Sequence, residues 1–239
     1  MVHSGQLKQN TFYRNAHRYF LLALLVIVIG FFPSYFSRLA ATDTAHHIHG
    51  ITATLWMLIL IVQPWLVNRG YMKWHRTLGK FTFVWVPILF VSGLHMIYLM
   101  LTNASNYPPL IPYQLAFIDF TVLPLFILFY SLAIFHRKNS QLHARYMVCT
   151  IFGPLIPALT RMLFIVPAID DFSKSLNISY LILELVIVRL VWDDRRSGKI
   201  RPPYVLALIV FLTDHLLMNF ASQWHWWRSW MDSFANSNI

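Results

Sequence analysis

Apolar residues in this chain come in long runs separated by short polar breaks, and the runs set the architecture. Seven of them fall at about 19–36, 44–68, 80–102, 113–136, 144–167, 177–193 and 204–222. Each is close to the ~20 residues that carry a helix across a bilayer core. The breaks are short and none holds a run long enough for a soluble domain, so residues 1–239 read as one membrane domain. The pattern predicts an all-α, polytopic membrane helix bundle of seven transmembrane helices. The first run follows basic residues as a signal peptide would, but it is longer than a usual h-region and no clean small-residue cleavage site follows it. It is therefore expected to be a retained anchor.

The polar breaks carry an orientation. Lys and Arg number three before the first run (Lys8, Arg14, Arg18), then one (Arg38), then four (Arg69, Lys73, Arg76, Lys80). The next break has none, and three (Arg137, Lys138, Arg145), one (Lys174), four (Arg195, Arg196, Lys199, Arg201) and one (Arg228) follow. Basic residues concentrate on the cytoplasmic side of membrane proteins, so this alternation places the N-terminus in the cytoplasm and the C-terminus outside. Tryptophans near run ends fit interfacial anchors, and the tail Trp224–Trp230 is expected to lie along the outer interface.

Composition agrees and removes one alternative. The chain is 57% hydrophobic and 12% charged, about half the charge of an average soluble domain. Its net charge of +10 invites a nucleic-acid partner, but the basic residues are scattered through short loops and form no continuous face; the lipid bilayer is the partner they imply. The single cysteine, Cys149, excludes an intrachain disulfide.

Candidate chemistry lies within the runs. Ala45-His46-His47-Ile48-His49-Gly50 opens the second, and on a helix His49, Thr52, Trp56 and Gln63 share a face that should point inward, leaving Leu55, Leu58 and Val62 nearer lipid. Ionisable groups inside spans are costly, roughly 2.5–3.5 kcal/mol for a central Asp, Lys or Arg, so each is a functional candidate. They are His95, Asp119, Arg161, Glu184, Asp214 and His215, with Arg189 expected to snorkel at the cytoplasmic end. Counting from the outer ends places His95, Asp119, Arg161, Glu184 and His215 about 9–11 Å deep, with His49 near that level. They are predicted to line one cavity in the outer half. An Arg161–Glu184 ion pair is the simplest structural reading, and Asp119 and Asp214 each require a partner or a proton. Near the cytoplasmic side, His75, His136 and His143-Ala-Arg145 are expected to meet lipid phosphates or cap helix C-termini. Pro154 and Pro157 should bend the fifth span.

The pattern Gly50…Trp56…Gln63…His75-Arg76-x-Leu78-Gly79, followed by His143-x-Arg145-x-Met147, resembles a family of bacterial histidine-containing multi-pass inner-membrane proteins that brings no assigned activity. More loosely, the chain resembles the di-haem transmembrane cytochromes, in which histidines near both faces hold b-type haems. That resemblance implies pairs drawn from an outer set (His46, His49, His95, His215) and an inner set (His75, His136, His143). The chain is also similar in topology to seven-span zinc hydrolases, progesterone- and adiponectin-receptor relatives among them. Asp214-His215 stands where those carry His-x-x-x-His.

Three functions follow as expectations. In the first, His49, His95 and His215 bind a b-type haem or copper, and the protein passes electrons or assists a respiratory complex. In the second, the polar layer is a proton or solute site, or holds the bundle together without a cofactor. In the third, three of His46, His49, His95 and His215 bind zinc, with Asp119 or Asp214 as ligand or base.

Overall fold

The computed structural model describes residues 15–237; Lys8 and Arg14 of the charge pattern lie outside them. Nine α-helices, linked by short turns, make up an all-α bundle among the described residues: α1 Ala16–Phe31, α2 Thr44–Asn68, α3 Met72–Thr102, α4 Ile111–Phe135, α5 Ser140–Cys149, α6 Phe152–Leu163, α7 Phe172–Arg196, α8 Pro202–Ala221 and α9 His225–Ala235. Six spans are long and apolar enough to cross a membrane: α2, α3, α4, the α5–α6 run over Ser140–Leu163, α7 and α8. The chain is a multi-pass membrane protein.

α1 is apolar but only 16 residues, ~24 Å at 1.5 Å per residue. It stops before the predicted end at residue 36 because Pro33 has no N–H for the Ile29 carbonyl, which accepts from the Phe32 N–H at 3.3 Å instead, and turns lead into a 3₁₀ segment, Phe36–Ala41. α1 is nonetheless part of the bundle, packing on α6 and α2. Gly30 permits this: a Cβ there would run into the Ala158 carbonyl. Small residues at such crossings let membrane helices approach backbone to backbone.

The fifth span is two helices, not one. Pro154 has no N–H for the Thr150 carbonyl, and α5 ends at Cys149 with α6 resuming at Phe152. Thr150 instead donates its hydroxyl to the Met147 carbonyl at 2.7 Å. α3 begins eight residues before the predicted run, so Trp74, His75 and Arg76 are helical and not loop. α2 is capped by Asp43, which accepts the His46 backbone N–H at 3.0 Å. Its Thr52 and Trp56 are buried while Leu58 and Val62 are exposed.

A single large aromatic core joins the spans, built on Trp56, Phe129, Tyr130, Phe152, Tyr180, Tyr204 and Phe211. Leu21, Leu22, Ile51, Val84, Val91, Leu185 and Leu216 stay exposed, as lipid-facing side chains do. The aromatic tail forms α9, which lies against α3 and α4. Trp227 Nε1 donates to the Tyr113 carbonyl (2.9 Å) and the Tyr113 hydroxyl to Asp232 (2.7 Å), while Trp226 and Trp230 remain outward.

Candidate functional site

The predicted outer layer divides into two groups. The larger lies where α7 and α8 meet and α4 packs alongside. Asn177, Tyr180 and Glu184 sit at i, i+3 and i+7 of α7, and His215 and Asn219 at i and i+4 of α8, so one face of each helix supplies the cluster. His215 Nδ1 lies 2.8 Å from Glu184 Oε1 and its Nε2 3.0 Å from Asn177 Oδ1. Its ring stacks on Tyr180, with centroids 4.8 Å apart. Asn177 Nδ2 donates to the Ser173 carbonyl at 2.8 Å, and Asn219 Nδ2 donates to Asn177 Oδ1 at 3.2 Å. A carbonyl can only accept, so the Asn177 amide is oriented with its oxygen toward His215. Nε2 therefore carries hydrogen, and one further proton lies in the Nδ1–Oε1 bond. On whichever atom that proton sits, the His215–Glu184 pair is neutral as a unit.

Asp214 is buried beside this pair, and the Tyr180 hydroxyl donates to its Oδ2 at 2.5 Å. Oδ1 has no hydrogen-bond partner. Asp119 lies within electrostatic reach of Arg161 and Asp214. Arg161 donates from Nη1 to the Pro157 carbonyl at 3.0 Å, and its guanidinium stands 4.6 Å from the centroid of the Phe31 ring. The expected Arg161–Glu184 pair does not form: Glu184 meets His215, and Arg161 lies within electrostatic reach of Asp119. The reason is helix rotation, which turns Glu184 toward α8 and away from α6.

The smaller group lies between α2 and α3. His49 Nδ1 is 3.1 Å from Ser92 Oγ, and Ser92 Oγ is 3.2 Å from Thr52 Oγ1. His95, one turn beyond buried Ser92, is exposed and stacks on Tyr98. His46 is exposed and tied to its own cap, with Nδ1 2.6 Å from Asp43 Oδ2. The histidine set His46, His49, His95 and His215 is therefore not gathered at one place: α2 packs on α1 and α3, whereas α8 packs on α4, α5 and α7. Among the described residues no three His, Cys, Asp or Glu side chains are placed to hold a metal ion together.

The cytoplasmic-side residues form a third site, where position in the chain predicted capping and lipid contacts and the cytochrome resemblance implied haem ligands. The His75 and His143 rings stand with centroids 6.4 Å apart and planes at 83°. His143 Nδ1 bonds the Ala133 carbonyl at 2.8 Å, one of the last-turn carbonyls of α4 that lack a helical partner. Nδ1 is therefore the protonated nitrogen, and Nε2 keeps its lone pair. His75 Nδ1, Gln63 Oε1 and Trp56 Nε1 are buried without partners. Tyr130, bonded to Thr82 at 2.7 Å, lines a groove of ≈ 470 Å³ together with Phe83, Val86, Pro87, Ile134 and Phe135. His136 is separate, stacked on Tyr146.

Arg145 does not meet lipid phosphate. It is fully buried, with Nε 2.8 Å from Asp194 Oδ1 and Nη1 2.7 Å from Gln141 Oε1, and it ties α5 to the inner end of α7. Arg189 behaves as expected at the same end, exposed and 3.6 Å from Asp193. The residues that sequence reasoning missed are Asn177, Tyr180, Ser92, Asn219 and Asp194. For Asn177 and Tyr180 the signal was present as the i, i+3, i+7 spacing with Glu184.

Comparison of the chain with protein-family models, with curated proteins and with solved structures found no match.

Proposed function

We propose that this membrane protein has a redox or metal-handling role, with a transition metal held between His75 and His143 in the inner half of the bundle. The observation that carries this reading is the 6.4 Å separation of the two perpendicular rings. Two metal–nitrogen bonds of about 2.0–2.1 Å each, with the ring radii at either end, span roughly that distance.

Three further features support it. His143 donates Nδ1–H to a backbone carbonyl, the bond that fixes the tautomer and orientation of a metal-binding imidazole. The buried, unpartnered atoms of His75, Gln63 and Trp56 mark a place where the protein does not satisfy itself. The neighbouring groove is apolar, as the walls of a porphyrin site must be. Imidazole suits both haem iron and copper, and two axial imidazoles leave room for a macrocycle. His49, His95 and His215, which the sequence favoured as ligands, are too separately placed for this role. On this reading the chain sits in a bacterial inner membrane beside a respiratory complex.

The test is an absorption spectrum with elemental analysis on detergent-purified protein. A Soret band identifies haem, and stoichiometric copper without one identifies the bare ion. Either must be lost in His143→Ala and retained in His136→Ala. Protein with neither, purified under conditions that supply both, ends the reading.

A further inference from the structure

We infer that Asp214, in the outer half of the bundle, is a proton-binding site that takes up and releases one proton per chain. The inference does not depend on a metal between His75 and His143. It follows from counting the charges that meet at the α4–α7–α8 junction.

Three carboxyl groups converge there: Asp119 from α4, Glu184 from α7 and Asp214 from α8. Glu184 is balanced by His215, because the Asn177 amide fixes a hydrogen on Nε2 and the Nδ1–Oε1 bond holds the second proton. Asp119 has Arg161 within electrostatic reach. No cation remains for Asp214. α8 also packs on α5, but the Arg145 of that helix is committed to Asp194 at the other end of the bundle, and its Cys149 thiol faces the Pro203 carbonyl at 3.6 Å. The Arg189 of α7 is paired with Asp193.

The two oxygens of Asp214 are treated differently. Oδ2 receives the Tyr180 hydroxyl, whereas Oδ1 is buried and has no partner. The Thr121 hydroxyl stands within reach of the Asp214 carboxyl, but it directs its single hydrogen to the Phe117 carbonyl at 3.1 Å. Asp214 is only 2% exposed, so water does not offset the missing charge. An ionised carboxylate with one bare oxygen, beside a second carboxylate and away from any free cation, is unfavourable in a low-dielectric interior. One O–H bond on Oδ1 removes the excess charge and supplies the missing hydrogen. Releasing that proton regenerates the carboxylate, with the Tyr180 bond still holding Oδ2. The chemistry is that of a site that binds and releases a single proton.

The experiment is infrared difference spectroscopy of the full chain in lipid, stepped between acidic and neutral buffer in H₂O and D₂O. Wild-type protein should show one protonated-carboxyl C=O band that shifts in D₂O and disappears on deprotonation. Asp214→Asn should lose that band and bind one proton fewer per chain. Asp170→Asn, at an exposed loop site paired with Lys174, should keep it. Tyr180→Phe retains the carboxyl group but removes its donor, so it should shift the band without abolishing it, which keeps the test open if Asp214→Asn fails to fold. Absence of the band in wild type overturns the inference. So does a band that survives Asp214→Asn, or one that Tyr180→Phe leaves unmoved.

Discussion

The two halves of this bundle satisfy their buried polar groups to different degrees. In the outer half, His215, Glu184, Asn177 and Asn219 bond one another through both ring nitrogens and both amides, and the Tyr180 phenol donates to Asp214, whose Oδ1 is left open. In the inner half, His75 and His143 stand edge to face with centroids 6.4 Å apart, and buried atoms of His75, Gln63 and Trp56 are left open. A network with a single oxygen open has room only for something as small as a proton. A set of groups that does not satisfy itself requires a partner that the chain does not supply. Polarity alone therefore does not identify a binding site in a membrane helix; unspent hydrogen-bonding and ligand capacity does.

The largest effect that would sharpen this contrast lies under the inner pair. Arg145→Ala leaves buried Asp194 with only the more distant Arg201 guanidinium, 3.9 Å away, and should lower stability by up to about 3–5 kcal/mol in a detergent unfolding titration. Replacing both partners with apolar residues of similar volume should restore most of that loss. If it also restores metal content, the inner site needs only the scaffold, and not the charge.

Tyr180→Phe tests the outer network and should be smaller, about 1–3 kcal/mol, because it withdraws the hydrogen bond to one buried carboxyl oxygen. The same thermal or denaturant measurement should show the loss fall when the buffer is acidified enough to protonate Asp214. A loss that does not change with pH would break the link between this network and a proton.

Asp43→Ala removes the α2 cap and should cost about 1 kcal/mol. The His46 backbone N–H holds the Asp43 carboxylate below its ordinary range, with the His46 side chain adding to it. Since the folded value is the lower one, this stabilisation is present above the unfolded pKa and is lost as pH falls through the folded value. Melting curves from neutral to strongly acidic pH should therefore converge for wild type and variant. The smallest effect belongs to His95→Ala, an exposed site expected to change stability by no more than about 0.5 kcal/mol and to leave metal content untouched. Metal lost in His95→Ala but retained in His143→Ala would reverse the assignment of the two halves.

Much of the architecture was legible in the chain. Apolar run length set the helices, although the first stops short of its run at Pro33 and the fifth, expected to bend at Pro154, divides in two. The i, i+3, i+7 face of α2 announced which side of that helix is buried, as Trp56 and Leu58 illustrate. Of the six side chains that matched depth placed in one layer, Glu184 and His215 meet and Asp119 lies within electrostatic reach of Arg161, whereas His49 turns to Ser92 and His95 is exposed; depth follows from rise per residue, and facing does not.

Partner choice was decided only by the tertiary structure. Ser92 and His95 are three residues apart on α3, yet the first is buried against His49 and the second is exposed. Glu184 meets His215 instead of Arg161 because α7 presents that face to α8. His75 and His143 are separated by 68 residues and approach only because α3 and α5 both pack against α4 near their cytoplasmic ends. Hydropathy fixes how far along a helix a side chain lies, and periodicity fixes its angle relative to its own neighbours. The angle between one helix and the next is set by how their side chains interlock, and that is a property of no single stretch of sequence.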